Sequence, residues 1–228
     1  MLEKEISLRI YIRANDPYSN NGGGTDEISE SKWEVFAREG YLKQKSTDKD
    51  SLAFLICHEI GHFLGGRRFF ASATTASEGQ ADYYAVTKCM RRYFKNKSHE
   101  KFMSLMRKKL NPTVVQMCNK QWGSESHQSQ TCQRVSIAGE NFLKALYNKA
   151  RFSYSTPSKK IAPVPYNGHP SVQCRADTFM QGSLCQVSAN VLISKLDPLQ
   201  GTCNLQDGHV IGNRPLCWFN EEMALEAY

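Results

Sequence analysis

The stretch SLAFLICHEIGHFLGG, residues 51–66, decides how the rest of the chain is read. It is apolar through Leu52, Phe54, Leu55 and Ile56, contains no proline, and ends at Gly65-Gly66, which is the layout of a buried helix with a glycine stop. Just upstream, Thr47 opens TDKD with a carboxylate three positions on, which predicts a capping box. On a helix, residues four apart lie one above the other, so His58 and His62 project from one face and can share an ion. Glu59 lies about 100° round from His58 and about 60° from His62. That places its carboxylate beside an ion rather than on it, where a general base for an activated water belongs. Roughly one chain in a hundred with six histidines would show this spacing by chance, so the motif needs corroboration. Gly61 in mid-helix costs about 1 kcal/mol relative to alanine, which points to a neighbour packed closely against it.

A catalytic zinc ion takes three protein ligands and keeps one position open. Glu78, in SEGQADYYA, opens the next expected helix (residues 77–94) and is the candidate third ligand. Asp82, four residues on, shares its face and can orient a ligand imidazole. The plain alternative is an acidic pair near a helix start, favoured there by the dipole.

HEIGH followed by E-G-Q-A-D resembles the HExxH…ExxAD pairing of the M48 family of zinc metallopeptidases, within the larger gluzincin group. The His169-Pro170-Ser-Val-Gln-Cys-Arg175 stretch is similar to the family's downstream His-Pro and arginine element, and WEVFAREGYL…DKDSLAFLICHEIGH to its edge strand, tight turn and active-site helix. The likeness covers roughly Glu5–Leu64, Ser77–Val86 and His169–Ala176. It implies a zincin-like endopeptidase with one Zn2+ per chain held by His58, His62 and Glu78, and Glu59 as general base. It further implies that His169 contacts the substrate carbonyl or oxyanion, and that Arg175 belongs to the catalytic set while pairing with acidic groups such as Asp82. One departure is the short step from His62 to Glu78, so the helices usually inserted there are expected to be missing or relocated.

The remainder predicts an α+β, mainly helical protein with a small N-terminal sheet. Glu5–Arg13 alternates with Ile6, Leu8, Ile10 and Ile12 on one face, a half-buried strand. NDPYSNNGGGTDE reads as a polar, glycine-rich loop and Trp33–Ala37 as a second strand. Further helices are expected at His99–Leu110, Pro112–Gln121, Gln133–Ala150 and from Pro170 to about Leu196, with Arg151–Gly168 a proline-containing loop. The metallopeptidase domain is expected over 1–196, with 197–228 a cysteine-containing extension packed on it.

Composition fits an ordinary globular chain: 228 residues, 40% hydrophobic and 22% charged. No apolar run reaches the roughly 18 residues of a membrane span. The net charge is +7, and basic residues collect at Lys88–Lys97 (KCMRRYFKNK) and again at Arg107–Lys109, read as solvated helix faces that also offer peripheral contact with an anionic envelope surface. No nucleic-acid motif accompanies it, so the expected partner is a protein or peptide substrate.

Eight cysteines without a CxxC pair suggest disulfides and an extracytoplasmic, periplasmic or secreted location. MLEKEISLRI lacks a secretory layout, so an exported protein would have shed its signal before this N-terminus. Cys57 and Cys174 flank residues expected to converge, and a Cys57–Cys174 bridge is the expectation drawn from that. A catalytically silent zinc-binding or chaperone-like envelope module is the alternative to an enzyme.

Overall fold

A computed structural model of the chain describes residues 7–14, 21–29, 31–69 and 73–222. Three strands form one small sheet: β1 (Ser7–Arg13), β2 (Gly23–Ser29) and β3 (Lys32–Arg38), in the order β1-β3-β2. β3 runs parallel to β1 and antiparallel to β2. A short helix α1 (Glu39–Leu42) leads to α2 (Lys49–Leu64), and α3 (Glu78–Tyr84) continues through a π turn at Ala85–Cys89 into α4 (Met90–Phe94). There follow α5 (Glu100–Met106) with a 3-10 turn at Arg107–Lys109, α6 (Pro112–Trp122), α7 (His127–Leu146) and α8 (Val172–Leu184). The result is α+β and mainly helical.

β3 is the central strand, and its Val35, Phe36 and Ala37 are buried in succession. Trp33 and Val35 are buried with Phe63 of α2, and the Trp33 and Phe63 rings stack at 4.5 Å between centroids. The expected burial of β1 is corrected. Leu8, Ile10 and Ile12 pair in register with Trp33, Val35 and Ala37, yet they are 37%, 53% and 49% exposed, because α2 lies over β3 and β2 instead. Ile6 lies outside the described residues.

The glycine-rich "loop" is also corrected, since residues 23–27 of it belong to β2. No apolar alternation marks that strand, and its Ile28 is exposed; its backbone pairing with β3 and the Arg38 Nη1 bond to the Gly23 carbonyl hold it. The cap of α2 falls one residue later than expected. The Asp48 carboxylate accepts from Ser51 N at 2.7 Å and Ser51 Oγ accepts from Asp48 N at 2.8 Å, while the Thr47 hydroxyl donates to the Tyr41 carbonyl.

The main core lies where α2, α7 and α8 meet, with Phe54, Phe142 and Phe179 buried together and Phe54 edge-on to Phe179 at 4.7 Å. Two helix expectations are corrected at their ends. α7 starts six residues earlier than expected, because Ser126 caps it by accepting from Ser129 N. α8 stops at Leu184, and 185–196 is irregular backbone. The tail packs on α3 and α8: Trp218 is fully buried with its indole N–H donating to Thr178 Oγ1, and Tyr83 OH donates to the Gly212 carbonyl.

All eight cysteines are paired: Cys57–Cys89, Cys118–Cys132, Cys174–Cys217 and Cys185–Cys203. The expected Cys57–Cys174 bridge is therefore wrong. Cys57 faces the rod made by α3, the π turn and α4, while Cys174 faces the C-terminal tail.

Candidate metal centre

Two helices build the site, and one glycine sets their separation. At Gly61 of α2, a Cβ atom would stand 2.6 Å from both Cα and the carbonyl oxygen of Ala81 in α3. Only hydrogen fits there, which accounts for a glycine inside an apolar helix. The close crossing brings the first turn of α3 against the histidine face of α2. That turn is fixed by reciprocal capping: Ser77 Oγ accepts from Gln80 N, and the Gln80 side-chain carbonyl accepts from Ser77 N at 3.0 Å.

His58, His62 and Glu78 converge as the sequence suggests. His58 Nε2 lies 3.3 Å from Glu78 Oε2, and His62 Nε2 lies 3.6 Å from Glu78 Oε1. One ligand atom from each of the three lies within 4.8 Å of the others. Two donors at about 2.0–2.1 Å from a tetrahedral zinc are about 3.3 Å apart, so these separations suit one ion with little movement. The imidazole orientations suit it too. His62 Nδ1 bonds the Ala76 carbonyl at 2.9 Å, which puts the proton on Nδ1 and leaves the Nε2 lone pair facing Glu78. His58 Nδ1 lies 2.8 Å from Asp82 Oδ1, a charge contact that is not aligned as a hydrogen bond.

The surrounding charges are arranged in a chain. Arg175 is 1% exposed and grips Asp82 with both edges, Nε to Oδ2 and Nη2 to Oδ1, each at 2.8 Å. Its Nη2 is also 3.9 Å from Glu78 Oε2. Glu59 is buried beside the trio, its Oε2 4.0 Å from His62 Nε2. His169 comes from the loop before α8 and reaches Glu78 Oε1 with Nε2 at 3.2 Å, yet its side chain is 69% exposed.

These neighbours set the protonation states. Burial alone would lower the His58 pKa, but the Asp82 and Glu78 carboxylates outweigh it and raise it to about 10. Burial would raise Glu78, and the hydrogen bond and charge of His58 instead hold it well below the usual carboxylate range. Burial would likewise raise Asp82, but Arg175 and His58 lower it. His62 is lowered, first by burial and then by the His58 charge. Burial pushes Glu59 up to about 7, with His58 opposing and Glu78 adding to the rise. Protonated His58 and ionised Glu78 thus form an ion pair across a gap that a dication would take over, displacing the His58 proton.

The trio opens into a cleft of about 540 Å3, walled by Gly23 and Thr25 of β2, Arg38, Thr74, Tyr147 and His169. Gly23 brings the strand close to the Glu59 carboxylate, since a Cβ there would meet Glu59 Oε1 at 3.0 Å. Sequence reasoning missed β2, Arg38 and Tyr147 as parts of this wall. Tyr147 sits just past the end of α7, its hydroxyl accepting from Arg175 Nη1 at 3.4 Å, and no local pattern marks it. Cys57, though next to His58, is tied up in its bridge to Cys89 and is neither ligand nor nucleophile.

In chemical terms, the site offers two neutral-capable imidazoles and a carboxylate for one metal ion, and a buried carboxyl near neutrality beside them. No protein-family model, curated protein or solved structure matches the chain.

Proposed function

We propose that the chain is a zinc-dependent endopeptidase of zincin-like build, cleaving protein or peptide substrates in an extracytoplasmic compartment. The observation that carries this reading is the convergence of His58, His62 and Glu78 at the base of a 540 Å3 cleft, with Glu59 buried beside them and outside the ligand set. One nitrogen-rich, three-ligand set with an open side fits zinc better than calcium or magnesium, which take mostly oxygen donors. When bound, zinc supplies Lewis acidity, polarising a carbonyl and acidifying water to a pKa of about 7.

The chain's own residues account for the rest. Glu59, buried and near neutrality, takes a proton at Oε2 and returns it to the leaving amine. His169, exposed at the cleft wall, is placed to donate to a developing oxyanion. Arg175 acts through Asp82: it anchors the carboxylate that orients His58, so we assign it a positioning role rather than contact with substrate. Among the described residues no helix is long and apolar enough to cross a membrane. Four disulfides favour an oxidising location.

A second reading has its own observation. The His169 imidazole rests on a ligand oxygen of Glu78, as it would in a catalytically silent zinc-binding or chaperone-like module whose site is self-blocked. One experiment separates the two: zinc per chain, measured with cleavage of a peptide library by wild type, Glu59→Gln and His169→Ala. One zinc, cleavage by wild type, and loss of it in Glu59→Gln with zinc retained supports the peptidase. One zinc with cleavage only in His169→Ala supports the blocked module. Absence of zinc after loading refutes both.

A further inference from the structure

The basic run Lys88–Lys97 is not used by the metal centre, and its side chains gather around a second cavity. That cavity, about 390 Å3 in volume, shares no lining residue with the metal cleft. Arg91, Arg92, Lys95 and His127 line it, and among the described residues no carboxylate does. Among the described residues, no carboxylate lies within ion-pair distance of Arg91, Arg92 or Lys95.

The cations are not all loose surface groups. Arg91 Nη1 donates to the carbonyls of Cys185 at 3.0 Å and Val187 at 2.9 Å, and its guanidinium stands 5.2 Å from the Trp122 ring centroid. Trp122 is itself fixed, its indole N–H donating to the Ser183 carbonyl at 3.1 Å. Among the described residues, the remaining nitrogens of Arg91 have no hydrogen-bond partner. Close by, Lys88 is 1% exposed and gives its ammonium to the Ser188 carbonyl at 2.9 Å, and Ser188 lines the cavity. Burial, and then the charges of Arg91 and Arg92, push the Lys88 pKa down to about 7. Arg91, Arg92 and Lys95, crowded with no described carboxylate beside them, repel one another, and an anion in their midst would relieve that repulsion.

We propose that this cavity binds a small organic phosphate monoester, its oxyanion held by Arg91, Arg92 and Lys95 and its apolar body against Val86, Val135 and Trp122. Guanidinium forks match phosphate oxygens in pairs, and three cations suit a dianion better than a carboxylate. A volume of this size falls in the range of small-molecule pockets, roughly 300–1,000 Å3, and leaves room for about one ring beyond the phosphate. A nucleic-acid strand would need repeated cation and aromatic contacts along a groove; this cavity has one tryptophan and one cluster of charge. The ester could be a soluble metabolite or the headgroup of a phosphatidate lipid, which present the same chemistry.

The test is calorimetric titration of the full chain with phenyl phosphate, inorganic phosphate and phenol, and co-sedimentation with phosphatidylcholine vesicles with and without phosphatidate. Phenyl phosphate is expected to bind with a Kd on the order of 1 mM or tighter, several-fold better than inorganic phosphate, with phenol silent. The double variant Arg92→Gln/Lys95→Gln changes two exposed side chains, so its melting temperature should match wild type while its affinity for phenyl phosphate falls about tenfold or more. Sedimentation with phosphatidate vesicles, lost in the same variant, would identify the lipid source; binding of the soluble ester alone would identify a metabolite. Absence of phenyl phosphate binding, or binding unchanged in the double variant, overturns the proposal. Displacement of the ester by a micromolar single-stranded oligonucleotide also overturns it.

Discussion

Gly61→Ala should weaken metal binding although it touches no ligand. The added Cβ would stand 2.6 Å from backbone atoms of Ala81, against the roughly 3.5 Å of an optimal carbon–carbon contact, so α3 must retreat by about 1 Å. No side-chain rotation relieves the clash, because backbone atoms make it. Glu78 and Asp82 ride on α3 on either side of Ala81, so the retreat carries both away from His58 and His62. Alanine gains about 1 kcal/mol of helix propensity, while overpacking costs about 1–3 kcal/mol. Net stability therefore falls by about 0–2 kcal/mol, too little to unfold the chain. Zinc affinity should fall about 10- to 100-fold, the scale seen when supporting groups around metal ligands are disturbed. Competition titration against a chromophoric chelator measures the affinity and urea denaturation the stability. A variant that binds zinc like wild type and is stabilised by the full propensity gain would refute the close-crossing account of the site.

Removing metal with a chelator should lower the midpoint of thermal unfolding, because zinc at about a thousand times its Kd contributes about 4 kcal/mol; calorimetry of loaded and stripped protein checks this. Replacing Cys57 and Cys89 by serine should cost about 3–4 kcal/mol, from opening a loop of 32 residues, read by denaturant titration. Lys88 gives a pH signature. Its pKa falls from 10.5 to about 7 on folding, so between those values the unfolded chain holds more protons and stability rises with pH. The destabilisation is full below pH about 7 and relieved towards pH about 10, with a ceiling of about 5 kcal/mol. Lys88→Met should therefore stabilise the protein most at pH 6 and least near pH 10, measured by urea unfolding across that range.

The convergence of the candidate ligands could be read because helical geometry is local: His62 follows His58 by four residues, and the capping of Ser77 by Gln80 places Glu78 at a helix start. β2 could not, since Gly23, Gly24, Thr25, Asp26 and Glu27 carry no apolar alternation, and these residues form a strand only through pairing with residues 33–37 of β3. The strand β1 was legible as an element and misleading as to burial, because alternation tells which face is apolar and not whether a helix covers it. Disulfide partners depend on how α2 rotates against α3 and α8, which spacing along the chain does not encode. Tyr147 and Arg38 enter the cleft only through tertiary packing.

The four cross-links have a topological consequence. Cys57–Cys89 and Cys118–Cys132 close before residue 151, and Cys185–Cys203 lies inside the ring closed by Cys174–Cys217. Between them run the exposed Arg151, Lys159 and Lys160. A single backbone cut there yields two fragments with no covalent bond between them, joined by the contact of Phe142 with Phe179 and the grip of Arg175 on Asp82. The first fragment keeps His58, Glu59, His62, Glu78 and Asp82 entire; the second brings His169 and Arg175. The molecule is thus divided, by its own cross-links, into a half that carries the candidate ligand trio and a completing half that could be separated and recombined.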